Sequence, residues 1–475
     1  MKDLRQYYID GQWVAPEAGA RDWQAVDPST EEPIATIALA TKADVDKAVA
    51  AAARAFESFG LTPLDERIAL LERLKAAYKR RYAEMAEAIR REMGAPKILA
   101  EKAQAAAGLG HIMTALSLLR DEQVEVNERG TAILAEPVGV CALITPWNWP
   151  MNQIMCKVAP ALAAGCTMVL KPSELAPLSA HLIAEIIDEA GVPPGVFNLI
   201  DGDAVAGTAM AEHPQVDMIS LTGSTRAGAE VSRHAAASIK RVSLELGGKS
   251  ANIILPDADL EAAVKEGVEA CFRNSGQSCN APTRMLVPAD RLDEALAIAR
   301  AAADKVVVGP PDDDATHIGP QANEKQWKTT QSLIEGAVKE GAPLVTGGPG
   351  RPPHLNAGFY TRPTVFGPVD NQHMIARTEV FGPVLTIIPY DDVEQAIAIA
   401  NDTPYGLSAY VQSADIGQAR QVARRLRAGM IHLNGAPTDI SAPFGGYKQS
   451  GNGREWGQHG LQEFLETKAI MGYGK

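Results

Sequence analysis

The sequence predicts an α/β protein with two doubly wound parallel-sheet domains and a small β flap. Three observations predict this class. Between residues 139 and 246, apolar runs of about five residues alternate with helical segments of about ten, as in βαβ units on a parallel sheet. A second strand–helix alternation runs from Ser250 to about Val411. The chain has 475 residues, whereas one hydrophobic core stops growing at roughly 250–300 residues.

The N-terminal region contributes a hairpin and two long helices. Residues 7–14 resemble a β-hairpin, and a helix is expected over 42–59. One long helix follows, because apolar residues recur every three or four positions over 68–93. Thr62 is its predicted N-cap and Pro63 its first residue, and a glycine and a proline follow its last turn.

The alternating region defines the core of the first sheet. Strands are expected at 139–145, 166–170, 196–200, 216–221 and 241–246, with helices at 151–163, 178–190, 204–212 and 225–237. Ligands bind beyond the carboxyl ends of the strands of such a sheet. The loops that follow these strands are therefore the first candidates for functional residues.

Residues 123–134 differ from the α/β segments on either side. They resemble a hairpin that turns at 127–130, and the segment 467–473 is also strand-like. Because a lone hairpin is only marginally stable, each segment needs another surface to lie on. A subunit contact and packing within the chain both satisfy this need.

Composition excludes several classes of function. The chain has 45 Lys and Arg against 58 Asp and Glu, and the formal net charge of −13 argues against nucleic acid and anionic membrane surfaces. The apolar stretch 158–170 is only about a dozen residues long and contains a proline, so it is too short to span a bilayer. The N-terminus lacks the apolar core of a signal peptide. A soluble, cytoplasmic protein is expected.

The five cysteines are an odd number, with neither a CxxC pair nor a Cys/His spacing that suits zinc, so no metal is expected. Cys141, Cys166 and Cys271 have the apolar neighbours of core residues, and Cys156 lies on a helix that borders a pocket or the core. Cys279 lies in a polar, glycine-containing loop, which suits an exposed thiolate with N–H groups facing an oxyanion. An ordinary loop cysteine is the alternative.

Other loops carry polar side chains at strand ends. Asn148 lies between two tryptophans and two prolines, and its amide suits an oxyanion donor. Residues 222–228 open a helix whose N–H groups suit a phosphate, although a plain helix cap explains them equally well. Glu245 ends a strand between leucines, where burial would make it a general base; a solvent-facing carboxylate is the alternative. Residues 451–453 are expected to form a packing turn.

Eight motifs occur together and in one order. They are PWNWP at 146–150, KPSE at 171–174, GVPPGVFN at 191–198, LTGST at 221–225, LELGGKS at 244–250, GQSC at 276–279, EVFGPV at 379–384 and PFGGYKQSGNGRE at 443–455. With them the chain resembles the NAD(P)-dependent aldehyde dehydrogenase superfamily from Tyr7 to the C-terminus. The resemblance implies a Rossmann-like NAD-binding domain (1–121 and 138–247), a catalytic domain (248–442), a return segment (443–462) and an oligomerisation flap (122–137 and 463–475).

The resemblance also implies a covalent mechanism and a homodimer or homotetramer. Cys279 would attack the aldehyde carbon, and Asn148 with the backbone N–H of Cys279 would hold the oxyanion. Glu245 would deprotonate the water that hydrolyses the thioester to a carboxylic acid. Lys157 and Glu455 match a secondary proton-relay pair, and a structural ion pair explains them equally well.

NAD is the implied cofactor, with NADP less favoured. Lys171 and Glu174 would contact the adenosine ribose, and Gly223 and Ser224 the pyrophosphate. Glu379 and Phe381 would contact the nicotinamide ribose and its surroundings. Further implied cofactor contacts are Ile144, Thr145, Pro146, Trp147, Ser173, Gly207 and Leu246. Because a carboxylate that accepts hydrogen bonds from both ribose hydroxyls repels a 2′-phosphate, Glu174 favours NAD.

An aldehyde is the expected small-molecule partner. The residues expected around it are Trp149, Met151, Gln153, Cys156, Ser278, Asn280, Thr438 and Ile440. The loop 434–441 lacks the aromatic residue that many relatives have there, so the pocket is expected to be moderately roomy and mostly apolar, with some polar contacts. No pair among Arg120, Arg273 and Arg284 is clearly placed to clamp a substrate carboxylate.

Three rival functions remain open. A CoA-acylating dehydrogenase commonly lacks a base at the position of Glu245, so the glutamate favours water as the acceptor. A non-catalytic scaffold would not need Cys279, Glu245 and Asn148 together. A cofactor-independent thiol hydrolase would leave the helix-opening loop and Glu379 without a purpose.

Overall fold

The computed structural model describes residues 1–119, 125–127 and 129–474. The strands are β1 Lys2–Leu4, β2 Tyr7–Ile9, β3 Gln12–Val14, β4 Arg21–Val26, β5 Pro33–Leu39, β6 Glu125–Val126, β7 Ala132–Pro137, β8 Val140–Ile144, β9 Thr167–Lys171, β10 Phe197–Leu199, β11 Met218–Thr222, β12 Arg241–Glu245, β13 Ala251–Ile254, β14 Arg284–Pro288, β15 Leu344–Thr346, β16 Thr364–Phe366, β17 Val384–Tyr390, β18 Ser408–Gln412, β19 Met430–Leu433, β20 Gly451–Asn452 and β21 Leu465–Ile470. The helices are α1 Lys42–Phe59, α2 Leu64–Arg80, α3 Tyr82–Met93, α4 Lys97–Leu99, α5 Ala105–Leu119, α6 Pro150–Ala164, α7 Pro177–Glu189, α8 Ala204–Glu212, α9 Thr225–Ala235, α10 Leu260–Phe272, α11 Leu292–Ala303, α12 Glu324–Glu340, α13 Met374–Arg377, α14 Val393–Asn401, α15 Ile416–Ala423 and α16 Gly457–Glu463.

The first sheet has the strand order β20-β12-β11-β8-β9-β10-β2-β3 in the part of the chain that is described. Strands β8 to β12 are parallel. Edge strand β20 pairs antiparallel with β12, and β2 pairs antiparallel with β10 and with edge strand β3. Along β8, Cys141 and Leu143 pack against α2, α5, α6 and α7, whereas Val140 and Ala142 pack in a second cluster with α1, α8 and α9. Helices thus cover both faces, and the doubly wound α/β class is confirmed.

The second sheet has the order β15-β16-β17-β14-β13-β18-β19, parallel except for β15. Its two faces also alternate along each strand: Leu286 packs with α12 to α15, while Met285 and Val287 pack with α10 and α11. Strand β19 lies beyond residue 411, where the predicted alternation ended. This extra strand brings residues to the site that the sequence pattern did not indicate.

The flap sheet has the order β21-β7-β6 and is antiparallel. Strand β21 pairs with β7 from Leu465 opposite Pro137 to Ile470 opposite Ala132. The two predicted strand-like segments therefore lie on each other within one chain. Residues 123, 124 and 128 of the predicted hairpin, and the predicted domain boundary at 121–122, lie outside the described residues. A further small sheet, β1-β5-β4, was not predicted.

Two local predictions are wrong. The single long helix is two helices, α2 and α3, because the backbone of Arg81 leaves helical geometry at φ −104° and ψ 16°. The apolar period continues across this one-residue break, so periodicity could not reveal it. Pro63, not Thr62, occupies the N-cap position, and no side chain caps this end of α2.

The predicted packing turn at 451–453 is also wrong, since Gly451–Asn452 form edge strand β20. Gly451 pairs with Glu245 and Asn452 with Leu244 on β12. Gly451 has φ 118°, and a Cβ there would collide with the Leu244 carbonyl. The sequence alone does not distinguish a glycine that permits close strand pairing from a glycine in a turn. No described helix is long and apolar enough to cross a membrane.

Candidate active site

Cys279 lies on a loop that neighbouring elements brace from two sides. The indole N–H of Trp149 donates to the Ser278 hydroxyl at 2.8 Å, and the Tyr410 hydroxyl donates to the Asn280 carbonyl at 3.0 Å. The thiol is partly buried, and burial, with the charge of nearby carboxylates, raises its pKa well above the usual range. Two hydrogen bonds thus brace the loop around a thiol that burial makes less acidic than an exposed cysteine.

Asn148 is buried beside this loop at 3% exposure, just before α6. Its side-chain Nδ2 donates one hydrogen bond to the Gln277 carbonyl at 3.0 Å. A primary amide has two N–H groups. One N–H therefore anchors the side chain two residues before Cys279, and the other remains for a ligand.

Glu245 ends β12 and is 2% exposed, so the solvent-facing alternative is wrong. Among the described residues, neither of its carboxylate oxygens has a hydrogen-bond partner. Burial raises its pKa well above the usual range, the charge of Glu455 raises it further, and Lys157 lowers it. A buried carboxyl group with a raised pKa and no hydrogen-bond partner is a candidate general base.

Lys157 and Glu455 form a buried ion pair. The ammonium group also donates to the Thr222 hydroxyl at 2.8 Å. The second carboxylate oxygen of Glu455 accepts from the Cys156 thiol at 3.2 Å. The two residues are in contact, as predicted, and this contact alone fits both a relay and a structural pair.

The predicted ribose contacts, Lys171 and Glu174, lie at the end of β9 and in the loop that follows it. The ammonium of Lys171 donates to the carbonyls of Pro172 and Gly202 at 2.8 and 2.6 Å. Burial lowers its pKa, and the charge of Glu174 partly offsets this. The Glu174 carboxylate is half-buried and has no hydrogen bond or ion pair to any described residue. It is therefore available to a ligand's hydroxyl groups.

The N-terminus of α9 has a side-chain cap and also leaves space in which a ligand could approach its backbone. The Ser224 hydroxyl accepts from the Ala227 N–H at 3.2 Å, so the helix-cap interpretation is confirmed. The N–H groups of Thr225 and Arg226, in the first turn, have no acceptor within the helix. A Cβ on Gly223 would come no closer than 3.7 Å to its neighbours. The cap and a phosphate site are compatible.

Glu379 reaches this region from the second sheet. Its Oε1 accepts from the Gly248 N–H at 3.0 Å, and burial raises its pKa to about 7. Phe381, at φ 55°, lies edge-to-face with Trp147 at 5.5 Å between ring centroids. Of the other predicted cofactor residues, Ile144 ends β8 and Gly207 lies in α8. The rest follow β8, β9 or β12: Thr145, Pro146, Ser173 and Leu246. The Glu174 carboxylate without a protein partner and the half-buried Glu379 with one backbone partner leave oxygens that are able to accept hydrogen bonds from a dinucleotide.

A cavity of about 250 Å³ lies beside the nucleophile loop. Four predicted substrate residues line it: Trp149, Ser278, Asn280 and Thr438. Residues that were not predicted also line it, among them Asn252, Glu266, Tyr410, Gln412 and His432. The rings of Tyr410 and His432 stack at 4.8 Å. This lining mixes polar and apolar side chains, whereas the sequence predicted a mostly apolar pocket around the aldehyde.

The other four predicted substrate residues are absent from the lining of this cavity. Met151 packs in the core of the first domain, and Gln153 is buried on the same helix. Cys156 bonds to Glu455 and shares an apolar cluster with Ile440 and Cys279. Successive residues of a helix point about 100° apart, so one helix cannot present all of these side chains to one cavity.

The three arginines differ in position. Arg273 lines the cavity. Arg284 is buried elsewhere, and its guanidinium donates to Asn371 and to three backbone carbonyls. Arg120 lies outside the described residues. Within those residues, no group of three or more His, Cys, Asp or Glu side chains is arranged to hold a metal ion.

Comparison with known proteins identifies the family. Residues 13–470 match the aldehyde dehydrogenase family. This chain belongs to the aldehyde dehydrogenase family. A 3-succinoylsemialdehyde-pyridine dehydrogenase from a Pseudomonas species is 57% identical to it over 475 residues, which cover 100% of this chain and 99% of the relative. The predicted family and enzyme class, an oxidoreductase that acts on aldehydes, are confirmed.

Solved structures of aldehyde dehydrogenases agree in fold. Aldehyde dehydrogenase C from Pseudomonas syringae, in a mutant form complexed with NAD+ and octanal, superimposes with a TM-score of 0.98 at 54% identity, covering 99% of this chain and 97% of that one. The Mycobacterium tuberculosis aldehyde dehydrogenase complexed with NAD+ gives 0.96 at 39% identity, covering 99% and 98%. Both complexes contain the cofactor that the motifs implied.

Proposed function

We propose that this aldehyde dehydrogenase uses NAD+ and releases a carboxylic acid by hydrolysis. The observation that carries the proposal is the buried, unpartnered carboxyl group of Glu245 beside the nucleophile loop. It is close enough for its charge to raise the pKa of the Cys279 thiol. A general base so near a thioester activates water, which transfer to CoA does not require.

The chemistry begins at Cys279. Its thiol first loses its proton to solvent water. The resulting thiolate forms a C–S bond to the aldehyde carbon, and the carbonyl electron pair moves to oxygen, where the free N–H of Asn148 and the backbone N–H of Cys279 stabilise it. Bound NAD+ supplies the oxidant, because it accepts a hydride from this carbon. Glu245 then removes a proton from water, and the water oxygen bonds to the thioester carbon. The C–S bond breaks, and the acid and the Cys279 thiolate are released.

The proton taken by Glu245 must leave before the next turnover. Among charged groups, Glu455 raises the pKa of Glu245 most, and it is paired with Lys157. We assign this pair the role of passing the proton towards solvent. The Cys156 thiol, bonded to Glu455, holds the carboxylate in place.

The cofactor roles rest on groups left available around the strand ends. Lys171 and Glu174 suit the adenosine ribose, and the α9 N-terminus with Ser224 suits the pyrophosphate. Glu379 suits the nicotinamide ribose, since only one of its oxygens accepts a hydrogen bond from the described chain. Lys171, Ser224 and the α9 N-terminus supply local donors for the anionic cofactor despite the net charge of −13.

The product distinguishes hydrolysis from CoA acylation. We expect the aldehyde and NAD+ to yield the free acid at the same rate with and without CoA, measured by chromatography and NADH absorbance. The Cys279→Ala protein should form neither product. Accumulation of an acyl-CoA would overturn the proposed hydrolytic function, and absence of NADH with every aldehyde would favour a non-catalytic scaffold.

The substrate class follows from the cavity lining. The stacked Tyr410 and His432 rings present an aromatic face, and Arg273 and Glu266 present charged groups. Glu266 and Arg273 are exposed, so they offer partners to a polar group of the substrate, and the aromatic face favours contact with a ring over contact with a plain alkyl chain. We therefore propose an aldehyde with a flat ring or polar group at its far end. The name of the 57% identical relative describes such an aldehyde.

A three-compound panel tests this class. We expect kcat/KM to fall from 3-succinoylsemialdehyde pyridine to its phenyl analogue and then to octanal. His432→Ala should lower kcat/KM for the pyridine and phenyl aldehydes relative to octanal, and leave octanal oxidation nearly unchanged. A preference for octanal in both proteins would contradict the proposed substrate class and leave the hydrolytic mechanism intact.

We further propose the domain division stated above and a cytoplasmic homodimer or homotetramer. Strand β21 lies at one end of the flap sheet, and Met471 and Tyr473 beyond it are exposed. An uncovered edge strand readily pairs with another chain. A monomer at micromolar concentration in analytical ultracentrifugation would exclude the oligomer. The free cysteines are consistent with a reducing compartment.

A further inference from the structure

A chain of buried side-chain amides leads from the first domain to the oxyanion donor. Gln104 Nε2 donates to Asn274 Oδ1 at 3.1 Å. Asn274 Nδ2 in turn donates to the backbone carbonyl of Asn148 at 2.8 Å and to that of Gln277 at 3.2 Å. Gln104 and Asn274 are 0% and 2% exposed. The same amide therefore ties the Asn148 backbone to the loop of Cys279.

Two members of this series of amides, Gln104 and Asn274, lie where the backbone has an unusual conformation. Gln104 ends a π-helical stretch, Ala100–Gln104, that leads into α5. Such stretches are rare and often occur at functional sites. Asn274 and Ser275 have left-handed conformations, at φ 55° and 58°. Each such residue costs about 1–3 kcal/mol, so the surrounding contacts must hold this turn.

The contacts around Gln277 show how the Asn274–Ser275 turn is linked to the Asn148 side chain. Its carbonyl accepts from both Asn148 Nδ2 and Asn274 Nδ2, at 3.0 and 3.2 Å. Its side chain donates to the Asn274 carbonyl at 3.0 Å and accepts from the Ala322 N–H at 2.8 Å. The Asn148 side chain is thus anchored to a carbonyl whose position Asn274 also determines.

We propose that Asn274 and Gln104 are positioning residues that hold the free N–H of Asn148 where the oxyanion forms. The inference rests on the proposed roles of Asn148 and Cys279. Asn274 fixes the Asn148 backbone and the anchor of its side chain, and Gln104 fixes the orientation of the Asn274 amide. The network should matter for steps in which the carbonyl oxygen gains charge. It should not matter for alkylation of the thiol, because an alkyl halide forms no oxyanion.

The test compares these two reactions in three variants. Asn274→Gly keeps the left-handed turn and removes the amide, while Gln104→Met keeps the volume and removes the donor. Ser275→Gly is the matched control, since its hydroxyl donates to the Gly319 carbonyl outside the network. Two rates are measured for each variant: aldehyde-dependent NADH formation in the first turnover, and alkylation of Cys279 by iodoacetamide without cofactor.

We expect Asn274→Gly to slow the first turnover by about 10²-fold, as small misplacements of catalytic groups do. Gln104→Met should act in the same direction with a smaller effect, and Ser275→Gly should behave as the wild type. Alkylation rates should stay within about twofold throughout, since no oxyanion forms in that reaction. Gln104→Met decides the question if Asn274→Gly does not fold by circular dichroism.

Two results would overturn the inference. One is an unchanged first turnover in the folded variants. The other is a parallel loss of first turnover and alkylation, which would show a general collapse of the loop. Failure of the proposed function gives a different result. If Cys279 is not the nucleophile, the wild-type protein should still oxidise aldehydes after Cys279 has been alkylated.

Discussion

Lys157 and Glu455 form a buried ion pair whose two charges act in opposite directions on Glu245. Glu455 raises the pKa of the Glu245 carboxyl group, and Lys157 lowers it. Burial contributes more than either charge. The affinity of Glu245 for its proton therefore depends on a pair that lies outside the substrate cavity.

Removing the negative partner should shift the pH dependence of turnover. In Glu455→Gln the pKa of Glu245 falls, so its base form, present above that pKa, becomes available at lower pH. We expect the rising limb of kcat against pH to move towards acid, with no such move in Glu466→Gln, an exposed control. A limb that stays in place would show that Glu455 does not influence the base.

The same substitution should destabilise the fold. It leaves the buried Lys157 ammonium without a carboxylate, and breaking a buried ion pair costs about 3–5 kcal/mol. We expect urea unfolding to show a loss of this order for Glu455→Gln and less than about 1 kcal/mol for Glu466→Gln. Equal stabilities would mean that the pair contributes nothing net to the folded state.

The thiol of Cys279 should react slowly at neutral pH in the absence of cofactor. Burial, followed by nearby carboxylates, raises its pKa, and the reactive thiolate exists only above that pKa. The alkylation rate should keep rising with pH beyond the range in which an exposed cysteine levels off. Mass spectrometry of the labelled peptide, with Cys279→Ala as control, measures this. A plateau below neutral pH would contradict the burial argument.

Cofactor choice should depend on Glu174. Its carboxylate repels a 2′-phosphate, so Glu174→Ser should raise kcat/KM with NADP relative to NAD. Glu174→Gln, which removes only the charge, should have an intermediate effect. An unchanged ratio in both variants would show that this carboxylate does not set the preference.

Binding of NAD+ should depend on pH through Glu379. Burial raises the pKa of this carboxyl group to about 7, and its anionic form accepts ribose hydrogen bonds more strongly. Affinity measured by calorimetry should therefore increase as pH rises through about 7. In Glu379→Gln the affinity should be lower and independent of pH in this range. A pH dependence that persists in the variant would assign it to another group.

Local patterns predicted where the candidate site residues lie along the chain. Asn148 lies just before α6 and Glu245 ends β12, at element ends that apolar runs mark in the sequence, and Cys279 lies in the loop before β14. The cavity walls could not be predicted in the same way, because Tyr410 and His432 become neighbours only through the pairing of β18 with β19. Strand order is a property of the whole sheet, and no local pattern reports it.

The environment of the base was equally hidden. Glu455 reaches Glu245 from the return segment after the second sheet, where sequence position indicates no contact. Edge strand β20 pairs with Glu245, and its glycine led to the prediction of a turn rather than a strand. The Asn274 turn likewise becomes visible only through its backbone angles and its bonds to Gln104 and Asn148.

The first-turnover kinetics of Glu245→Gln test the central claim most directly. If Glu245 activates only the water that hydrolyses the thioester, stopped-flow mixing with aldehyde and NAD+ should give a full burst of NADH. The steady-state rate after the burst should then fall by about 10²-fold or more, the usual contribution of a general base. Loss of the burst together with turnover would contradict this assignment, as would turnover at the wild-type rate.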